Sequence, residues 1–319
     1  NGTISPPQYS NPNILINPAF TVNQRGSVSV SDSATIFDFV SDRWTHRPAN
    51  LVGVGFSSEP VIINGQGTGI KLSYDSATTG AVFLQQDIEA VNVYQLYAKQ
   101  VTISFNANNV DGINALTETL IDVNIWKKDQ TAIVCNPVGS LVYMGGTRYS
   151  QTFDVGTMSD PNLPDPSERG MRVRIHPTVN GGLTEWKLWN VKLEAGSVAT
   201  PFIARQYGEE LALCQRYYQQ WGGNDTPHIA SGFAYNRADG HYTFTLPVRM
   251  RSSPTLLKKG FPKAFRPGQN EITTNLNSAI YKQSVRIIAK TKPDFFTEGE
   301  GSWLQIDQAG NWLALEAEL

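Results

Sequence analysis

The residues best suited to chemistry in this sequence are aromatic side chains placed beside amides and carboxylates. Trp303, Gln305 and Asp307 alternate with apolar residues, so they share one face of a predicted strand. An exposed indole can cover the apolar C–H face of a sugar ring, while amide and carboxylate oxygens accept hydrogen bonds from hydroxyls. We therefore predict a carbohydrate-binding site that combines this face with aromatic side chains beside turns: Trp303, Gln305, Asp307, Trp312, Tyr242 and His241. The alternative is that Trp303 and Trp312 fill a subunit interface or a second core.

Two further side chains could contribute to a structural calcium site. Asn17 ends the first predicted strand of the N-terminal domain and Glu194 ends its last. A β-sandwich can hold Ca²⁺ where these strands meet, with six to eight oxygen ligands. Because no dense Asp/Asn loop lies nearby, a purely hydrogen-bonding role for Asn17 and Glu194 is the alternative. We expect no other cofactor, and the four histidines lack the spacing of a zinc or iron site.

The acidic loop is a second place where a cation could bind, and a solvated loop is its alternative. It contains Asp154, Asp160, Asp165 and Glu168.

No nucleophile elbow, P-loop or dinucleotide fingerprint is present in the sequence. We therefore expect no catalytic residues and no enzymatic activity. A pair of carboxylates for glycoside hydrolysis stays possible, because such a pair is defined by spatial separation.

The elements that position these residues are short segments of alternating hydrophobicity, which predict an all-β fold. In residues 101–107, Val101, Ile103 and Phe105 point to one side and Thr102 to the other. Such segments recur about 8–20 residues apart without a long helical pattern, which is typical of an antiparallel β-sandwich. We assign residues 1–12 to an N-terminal arm and residues 13–205 to the sandwich.

Residues 224–319 are predicted to form a smaller C-terminal β domain. A hairpin is expected over residues 228–248, with its turn at Asp239-Gly240. Residues 258–277 are predicted to be a basic loop. It combines lysine and arginine side chains with two aromatic rings: Lys258, Lys259, Lys263, Arg266, Phe261 and Phe265. A solvated loop is the favoured interpretation, and contact with an anionic polysaccharide is the alternative. The segments SWLQID and WLALEAEL predict a second hairpin at the end of the chain.

A short helix is predicted between the two domains, over residues 206–223. Four residues fall at steps of 3, 4 and 3, which places them on one helix face: Leu211, Cys214, Tyr218 and Trp221. Glu209 and Glu210 occupy the first turn, where the helix dipole favours carboxylates. The face either packs between the two domains or meets two further copies of the chain on a threefold axis.

Composition excludes several classes of protein. The chain has 319 residues, of which only 17% are charged, and a net charge of −2. The sequence has no excess of basic residues that would form a nucleic-acid-binding patch. It also has no run of 18 apolar residues that would predict membrane insertion.

Cys135 and Cys214 are expected to be buried free thiols, with a disulfide between them as the alternative. The chain does not begin with Met, so we expect it to be a fragment of a longer protein.

Several segments in a fixed order resemble bacteriophage tail fibre and receptor-binding proteins. They are NILINPAFTVNQRG at residues 13–26, SDRW at 41–44, residues 84–108, KLEAGSVATPF at 192–202 and RQYGEELALCQRYYQ at 205–219. The resemblance covers about residues 13–221; beyond it, only LPVRMRSSPTL at 246–256 is similar to a strand of the C-terminal module in such fibres. It implies a jelly-roll-like, non-catalytic carbohydrate-binding module on a homotrimeric virion appendage, which becomes extracellular once it is released.

Three functions follow as hypotheses. The first is attachment of the virion to a host cell-surface polysaccharide. The second is a structural spacer or tip that docks to other phage tail proteins. The third is a polysaccharide hydrolase. Such depolymerases usually form long repetitive β-helices, and the sequence shows no period of 20–50 residues.

Overall fold

The computed structural model describes residues 10–26, 28–30, 38–52, 56–74, 79–109, 120–159, 161–176, 178–180, 185–280 and 283–319. The fold is all-β, as predicted, with short helical segments between strands. The chain forms two compact units, one of residues 1–211 with residue 319 and one of residues 212–318.

The first unit contains strands β1 to β14 and two sheets. The strands are β1 (Val28–Val30), β2 (Asp38–Ser41), β3 (Trp44–Val52), β4 (Phe56–Ile63), β5 (Gly67–Tyr74), β6 (Thr79–Glu89), β7 (Gln100–Asn109), β8 (Leu120–Trp126), β9 (Ala132–Val134), β10 (Asn136–Gly145), β11 (Arg148–Asp154), β12 (Arg169–His176), β13 (Thr178–Asn180) and β14 (Glu185–Ala195). One sheet has the order β1-β4-β5-β14-β7-β11-β10. The other has the order β2-β3-β6-β12-β8-β9, with β13 paired to β6. Helix α1 (Ala90–Val93) and a 3-10 turn (Tyr94–Leu96) connect β6 to β7.

The two sheets pack face to face around one apolar core. Val101, Ile103 and Phe105 of β7 are fully buried in it, which confirms the predicted alternation. Trp44 is also fully buried, and its indole Nε1 donates a hydrogen bond to the carbonyl of Asn17 at 2.9 Å. Burying a large side chain of this kind contributes roughly 1.5–3 kcal/mol. Burial of these side chains between the two sheets therefore stabilises the sandwich.

The predicted N-terminal arm is corrected where the structure describes it. Residues 1–9 lie outside the described residues. Ser10 donates its hydroxyl hydrogen to the carbonyl of Pro201 at 2.7 Å, and the backbone N–H of Asn11 donates to Thr200 Oγ1 at 3.1 Å. These two residues therefore lie against the sandwich and do not belong to a free arm.

Helix α2 spans Tyr207–Gln215 and is shorter than predicted. The predicted helix over residues 206–223 is wrong in its second half, because Tyr218–Gly222 forms strand β15. This strand pairs antiparallel with β24 (Trp312–Glu316), about 95 residues further along the chain. Ladder hydrogen bonds to a distant strand outweigh the local helical spacing, which is a weak preference.

The four residues of the predicted helix face are consequently divided between two elements. Leu211 and Cys214 lie on α2, whereas Tyr218 and Trp221 lie on β15. Cys214 and Tyr218 are buried within the chain, and Leu211 and Trp221 are partly exposed. They do not form a single helical stripe, and their contact in a trimer stays a prediction.

The second unit contains two antiparallel sheets built from strands β15 to β24. The remaining strands are β16 (His228–Ala234), β17 (Asp239–Thr245), β18 (Thr255–Lys259), β19 (Lys263–Arg266), β20 (Gln269–Ile272), β21 (Asn275–Ile280), β22 (Ser284–Lys290) and β23 (Gly301–Gln305). The small sheet has the order β15-β24-β18 and the large sheet β20-β19-β23-β16-β17-β22-β21. Leu313 and Leu315 of the small sheet share a core with Leu304 of the large sheet and with Ile306, which follows β23.

Two predictions for this unit are corrected. The expected terminal hairpin does not form, because β23 pairs with β16 and β19 while β24 pairs with β15 and β18. The expected basic loop over residues 258–277 contains strands β19 and β20 and parts of β18 and β21. The hairpin of β16 and β17 is confirmed. Its turn uses Asn236, whose side-chain oxygen accepts hydrogen bonds from the backbone N–H groups of Ala238 and Asp239, both at 2.8 Å.

Candidate functional site

The outer face of the large sheet in the second unit contains most of the predicted sugar-binding residues. On β23, Ser302 and Leu304 are buried, so Trp303 and Gln305 point to the opposite side. Asp307 follows on that side just after the strand ends. The alternation predicted from the sequence is thus confirmed for Trp303, Gln305 and Asp307.

Neighbouring strands bring additional rings to this outer face. Phe265 of β19 lies directly opposite Trp303, and the two rings stack with centroids 5.5 Å apart and planes at 11°. On the other side of β23, the β16 register places Phe233 next to His241 of β17, with ring centroids 5.9 Å apart. Tyr235 stacks on His241 at 4.6 Å and 9°. We call Phe265, Trp303, Phe233, His241 and Tyr235 the aromatic face.

The aromatic face is open to solvent at several positions. Phe233 is 51% exposed and Tyr235 is 59% exposed. Trp303 and His241 are partly exposed. Large exposed aromatic side chains that are already stacked on partners lose little rotamer freedom when a ligand covers them. The aromatic face is therefore a preorganised apolar surface.

Polar groups border the Trp303 end of the aromatic face. Lys263 Nζ and Asp307 Oδ2 form an ion pair at 2.5 Å, and both side chains keep some exposure. Gln305 Nε2 donates to the carbonyl of Thr226 at 3.4 Å. Gln305 Oε1 has no hydrogen-bond partner among the described residues. An amide oxygen, a carboxylate and an ammonium group here can exchange hydrogen bonds with sugar hydroxyls.

The protonation state of His241 fits a stacking role. Partial burial lowers the pKa of His241 below its usual 6.5, and the nearby positive charge of Arg286 lowers it further, while Asp239 opposes the shift. The imidazole is therefore neutral at pH 7, with one N–H donor and one acceptor nitrogen. A neutral ring stacks on the phenol of Tyr235 without a desolvated charge.

Two predicted sugar-binding residues lie elsewhere. Tyr242 follows His241 on β17, so its side chain points to the opposite side of the sheet, where it is fully buried in the core. Trp312 lies on β24 in the small sheet, opposite Gly222 and Lys259. The structure thus removes Tyr242 from the predicted surface and separates Trp312 from the sheet that contains Trp303.

Sequence reasoning missed Phe233 as a member of the site, and it placed Phe265 in a separate basic stretch. Phe233 precedes the buried Ala234, so the strand alternation alone could have shown that it points outward. Phe265 was assigned to a loop, because the run of lysine and proline around it hides strand β19. No local signal indicates that it stacks on Trp303, since about 40 residues separate the two.

Asn17 and Glu194, the predicted calcium ligands, belong to two separate hydrogen-bond networks. The side chain of Asn17 is fully buried and donates from Nδ2 to the carbonyl of Val22 at 2.7 Å and to Ser41 Oγ at 2.9 Å. Its Oδ1 accepts from the backbone N–H of Val22 at 3.0 Å. Both of its polar atoms thus hold the segment that precedes β1 in place.

Glu194 forms a buried network with Lys192 and Thr200. Its carboxylate accepts hydrogen bonds from the backbone N–H of Thr200 at 2.9 Å and from the Thr200 hydroxyl at 2.5 Å. Lys192 Nζ lies 3.3 Å from Glu194 Oε2 and also donates to Ser10 Oγ at 2.8 Å and the carbonyl of Pro201 at 3.0 Å. Burial lowers the pKa of Lys192, and the Glu194 carboxylate opposes that shift. This Lys192–Glu194 network holds Ser10, Thr200 and Pro201 against the outer side of the sheet.

Metal ligation by Asn17 and Glu194 stays a prediction. Over the described ranges, no group of three or more His, Cys, Asp or Glu side chains is arranged to hold a metal ion. In the acidic loop, Asp154 accepts a hydrogen bond from Gln100 at 2.9 Å, and Glu168 accepts one from the backbone N–H of Asp165 at 3.1 Å. Asp160 lies outside the described residues.

Both cysteines are buried free thiols, which confirms that prediction. Burial raises the pKa of Cys135 to about 11. In the part of the chain that the structure describes, no helix combines the length and apolarity needed to cross a bilayer.

Comparisons with known proteins return distant structural neighbours. No protein-family model matches the chain, and no curated protein matches it. The enzymatically active domain of tailspike protein 4 from bacteriophage CBA120 is 14% identical with a TM-score of 0.31; the match covers 58% of this chain and 21% of that one. A family 11 carbohydrate-binding module of a Clostridium thermocellum cellulase is 15% identical with a TM-score of 0.28, covering 51% and 97%. A cyclase from Fischerella sp. TAU is 15% identical with a TM-score of 0.32, covering 59% and 98%. The match thus spans about a fifth of the tailspike domain's length.

Proposed function

We propose that this chain is a non-catalytic receptor-binding protein of a phage tail fibre that attaches the virion to a host cell-surface glycan. The observation that carries glycan binding is the aromatic face, where Trp303 and Phe265 stack beside the exposed Phe233 and Tyr235. The assignment to a tail fibre rests on the resemblance of residues 13–221 described above.

Binding at the aromatic face would combine apolar and polar contacts. The rings cover the C–H faces of sugar units, and Gln305 and Asp307 accept hydrogen bonds from hydroxyls. Each hydroxyl exchanges a water partner for a protein partner, so the net gain for each hydrogen bond is only about 1 kcal/mol. A single site is therefore weak. The proposed homotrimer would raise the avidity through effective concentration.

The experiment measures binding of the purified chain to immobilised capsular and O-antigen polysaccharides from a panel of bacteria. Trp303→Ala and Phe233→Ala are each expected to weaken binding about tenfold, which corresponds to about 1.4 kcal/mol. Ile62→Ala in the first unit is the matched control, because Ile62 is an apolar side chain that is 82% exposed. Thermal unfolding shows whether each variant remains folded.

Three outcomes would overturn parts of this proposal. Equal binding by the Phe233→Ala, Trp303→Ala and Ile62→Ala variants would remove the aromatic face as the glycan site. Release of reducing ends from a bound polysaccharide would show a hydrolase. A monomeric mass in solution, measured by light scattering, would remove the homotrimer.

A structural tail component is the second candidate, and one observation favours it. Strand β10 lies at the edge of its sheet and exposes large apolar side chains: Val138, Val142, Tyr143 and Met144, all more than 40% exposed. An edge strand with exposed apolar residues is suited to pairing with another protein. This function predicts no binding to any polysaccharide of the panel and stable association with other tail proteins.

A further inference from the structure

An open cavity of about 410 Å³ lies in the first unit, on the side of the sheet that faces away from the sandwich core. Its polar lining comes from four places in the sequence: Gln66 in the β4–β5 turn, Asn106 on β7, Arg148 on β11 and Asn190 on β14. Met144 and Phe202 add apolar surface. The volume falls within the range of about 300–1,000 Å³ that is typical of ligand pockets.

Arg148 gives the cavity its charge and is held in a fixed position. Its Nη2 donates to Ser104 Oγ at 2.7 Å and to the carbonyl of Thr200 at 3.0 Å, and its Nη1 lies 3.4 Å from Asn106 Oδ1. Burial lowers the pKa of Arg148, and the charge of Glu194 opposes that shift. The guanidinium nevertheless stays charged at neutral pH, because an arginine does not lose its proton in proteins.

Glu194, whose charge acts on Arg148, is paired with Lys192 and does not line the cavity. No carboxylate is among the described residues that line it. The guanidinium Nε has no hydrogen-bond partner among those described either. A partly desolvated guanidinium with a free N–H group favours an anionic ligand, and its planar fork matches a carboxylate.

Two amide side chains provide further unused hydrogen-bonding groups. Asn190 has a φ of 52°, at the point where the pairing of β14 with β7 shifts between Trp189 and Lys192. Its side-chain amide has no hydrogen-bond partner within the described ranges. Gln66 Oε1 accepts from the indole of Trp189 at 2.8 Å, which leaves its Nε2 group free in the described structure. A left-handed backbone in a strand that directs a free amide into a cavity is typical of a functional position.

We propose that this cavity binds a saccharide that carries a carboxylate. Arg148 would bind the carboxylate, Asn190 and Gln66 would bind hydroxyls, and Phe202 and Met144 would contact the apolar C–H groups of the ring. The site goes beyond the proposed function, because it lies in the other unit and shares no residue with the aromatic face.

The experiment uses nuclear magnetic resonance titration of the full chain with methyl glucuronide, methyl galacturonide and N-acetylneuraminic acid. The matched neutral probes are the methyl esters of these acids. At least one acid is expected to bind in the millimolar range, and its ester about tenfold more weakly. Raising the salt concentration is expected to weaken binding of the acid but not of the ester.

Variants test the residues without disturbing the fold. Asn190→Gly removes the amide while keeping the positive φ, which glycine adopts readily, and is expected to weaken binding about tenfold. Phe202→Ala is expected to weaken it about threefold. Gln130→Gly is the matched control, since Gln130 also has a positive φ, of 62°, in the same unit but does not line the cavity.

The outcomes separate this site from the aromatic face. Acid binding that persists in Trp303→Ala supports an independent site, whereas its loss in that variant overturns the proposal. No binding by any of the three acids overturns it as well. Equal binding of acids and esters, or equal binding by the Asn190→Gly and Gln130→Gly variants, removes the assigned roles of Arg148 and Asn190.

Discussion

Removal of the Glu194 carboxylate tests whether the Lys192–Glu194 network stabilises the sandwich. The side chain of Glu194 is fully buried, and that of Lys192 is 1% exposed. In Glu194→Ala, the ammonium of Lys192 would lose its charged partner, and the backbone N–H and hydroxyl of Thr200 would lose their acceptors. The variant therefore leaves a buried ammonium with neutral hydrogen-bond acceptors but without an opposite charge.

The magnitude follows from the burial. Removing one partner of a buried ion pair costs about 3–5 kcal/mol, most of it the desolvation of the remaining charge. For a unit of this size, each kcal/mol shifts the melting temperature by about 2–4 °C, so a decrease of about 6–20 °C is expected. Glu194→Gln keeps an acceptor for Thr200 and should lose less. Lys192→Met combined with Glu194→Gln removes both charges and should regain more than half of the loss.

The assay is scanning calorimetry, with hydrogen exchange of residues 192–202 to localise the effect. Glu59→Ala is the matched control. Glu59 pairs with Lys71 on the surface of the same unit, with 51% of its side chain exposed, and such pairs contribute at most about 1 kcal/mol.

Two results would refute the reasoning. The first is a loss in Glu194→Ala no larger than the loss in Glu59→Ala. The second is a double variant that is less stable than Glu194→Ala alone.

The remaining predictions concern other buried groups. Trp44→Phe is expected to lose about 1–3 kcal/mol in urea unfolding, because the carbonyl of Asn17 loses the indole N–H donor. Burial lowers the pKa of His176 below 6.5, an effect that the nearby Asp122 partly offsets. The unfolded chain therefore takes up a proton first as pH falls through about 6.5, so the free energy of unfolding decreases there, and His176→Gln should make that decrease shallower. Cys135, with a pKa of about 11, and the buried Cys214 should not react with a thiol reagent at pH 8, whereas both should react in urea; rapid reaction of the native chain would contradict the burial.

The strands of this protein and the direction of their side chains could largely be predicted from the sequence. Alternation identified Val101, Ile103 and Phe105 as core residues, and it placed Trp303 and Gln305 on an outer face. These predictions succeed because the strand period of two is a property of a few consecutive residues. The same rule separates His241 from the buried Tyr242, and applying it strictly would have removed Tyr242 from the predicted site.

The extent of helix α2 shows where local patterns fail. Residues 211–221 follow a helical period, yet Tyr218–Gly222 is a strand because β24 provides its hydrogen-bond partners. That partner lies about 95 residues away, so no window around α2 contains the information. Asn236 is a similar case, since its side chain closes the turn that Asp239-Gly240 was expected to form.

The amino-acid sequence by itself determined which residues are apolar on one side of each strand, and hence the all-β class and the outward direction of Trp303. Only the tertiary structure decided which strands are neighbours. It placed Phe265 against Trp303 and moved Trp312 to another sheet. It also brought Gln66, Arg148 and Asn190 around one cavity. The physical reason is that side-chain alternation is fixed by local backbone geometry, whereas strand pairing depends on which distant segments satisfy each other's hydrogen bonds and share a core.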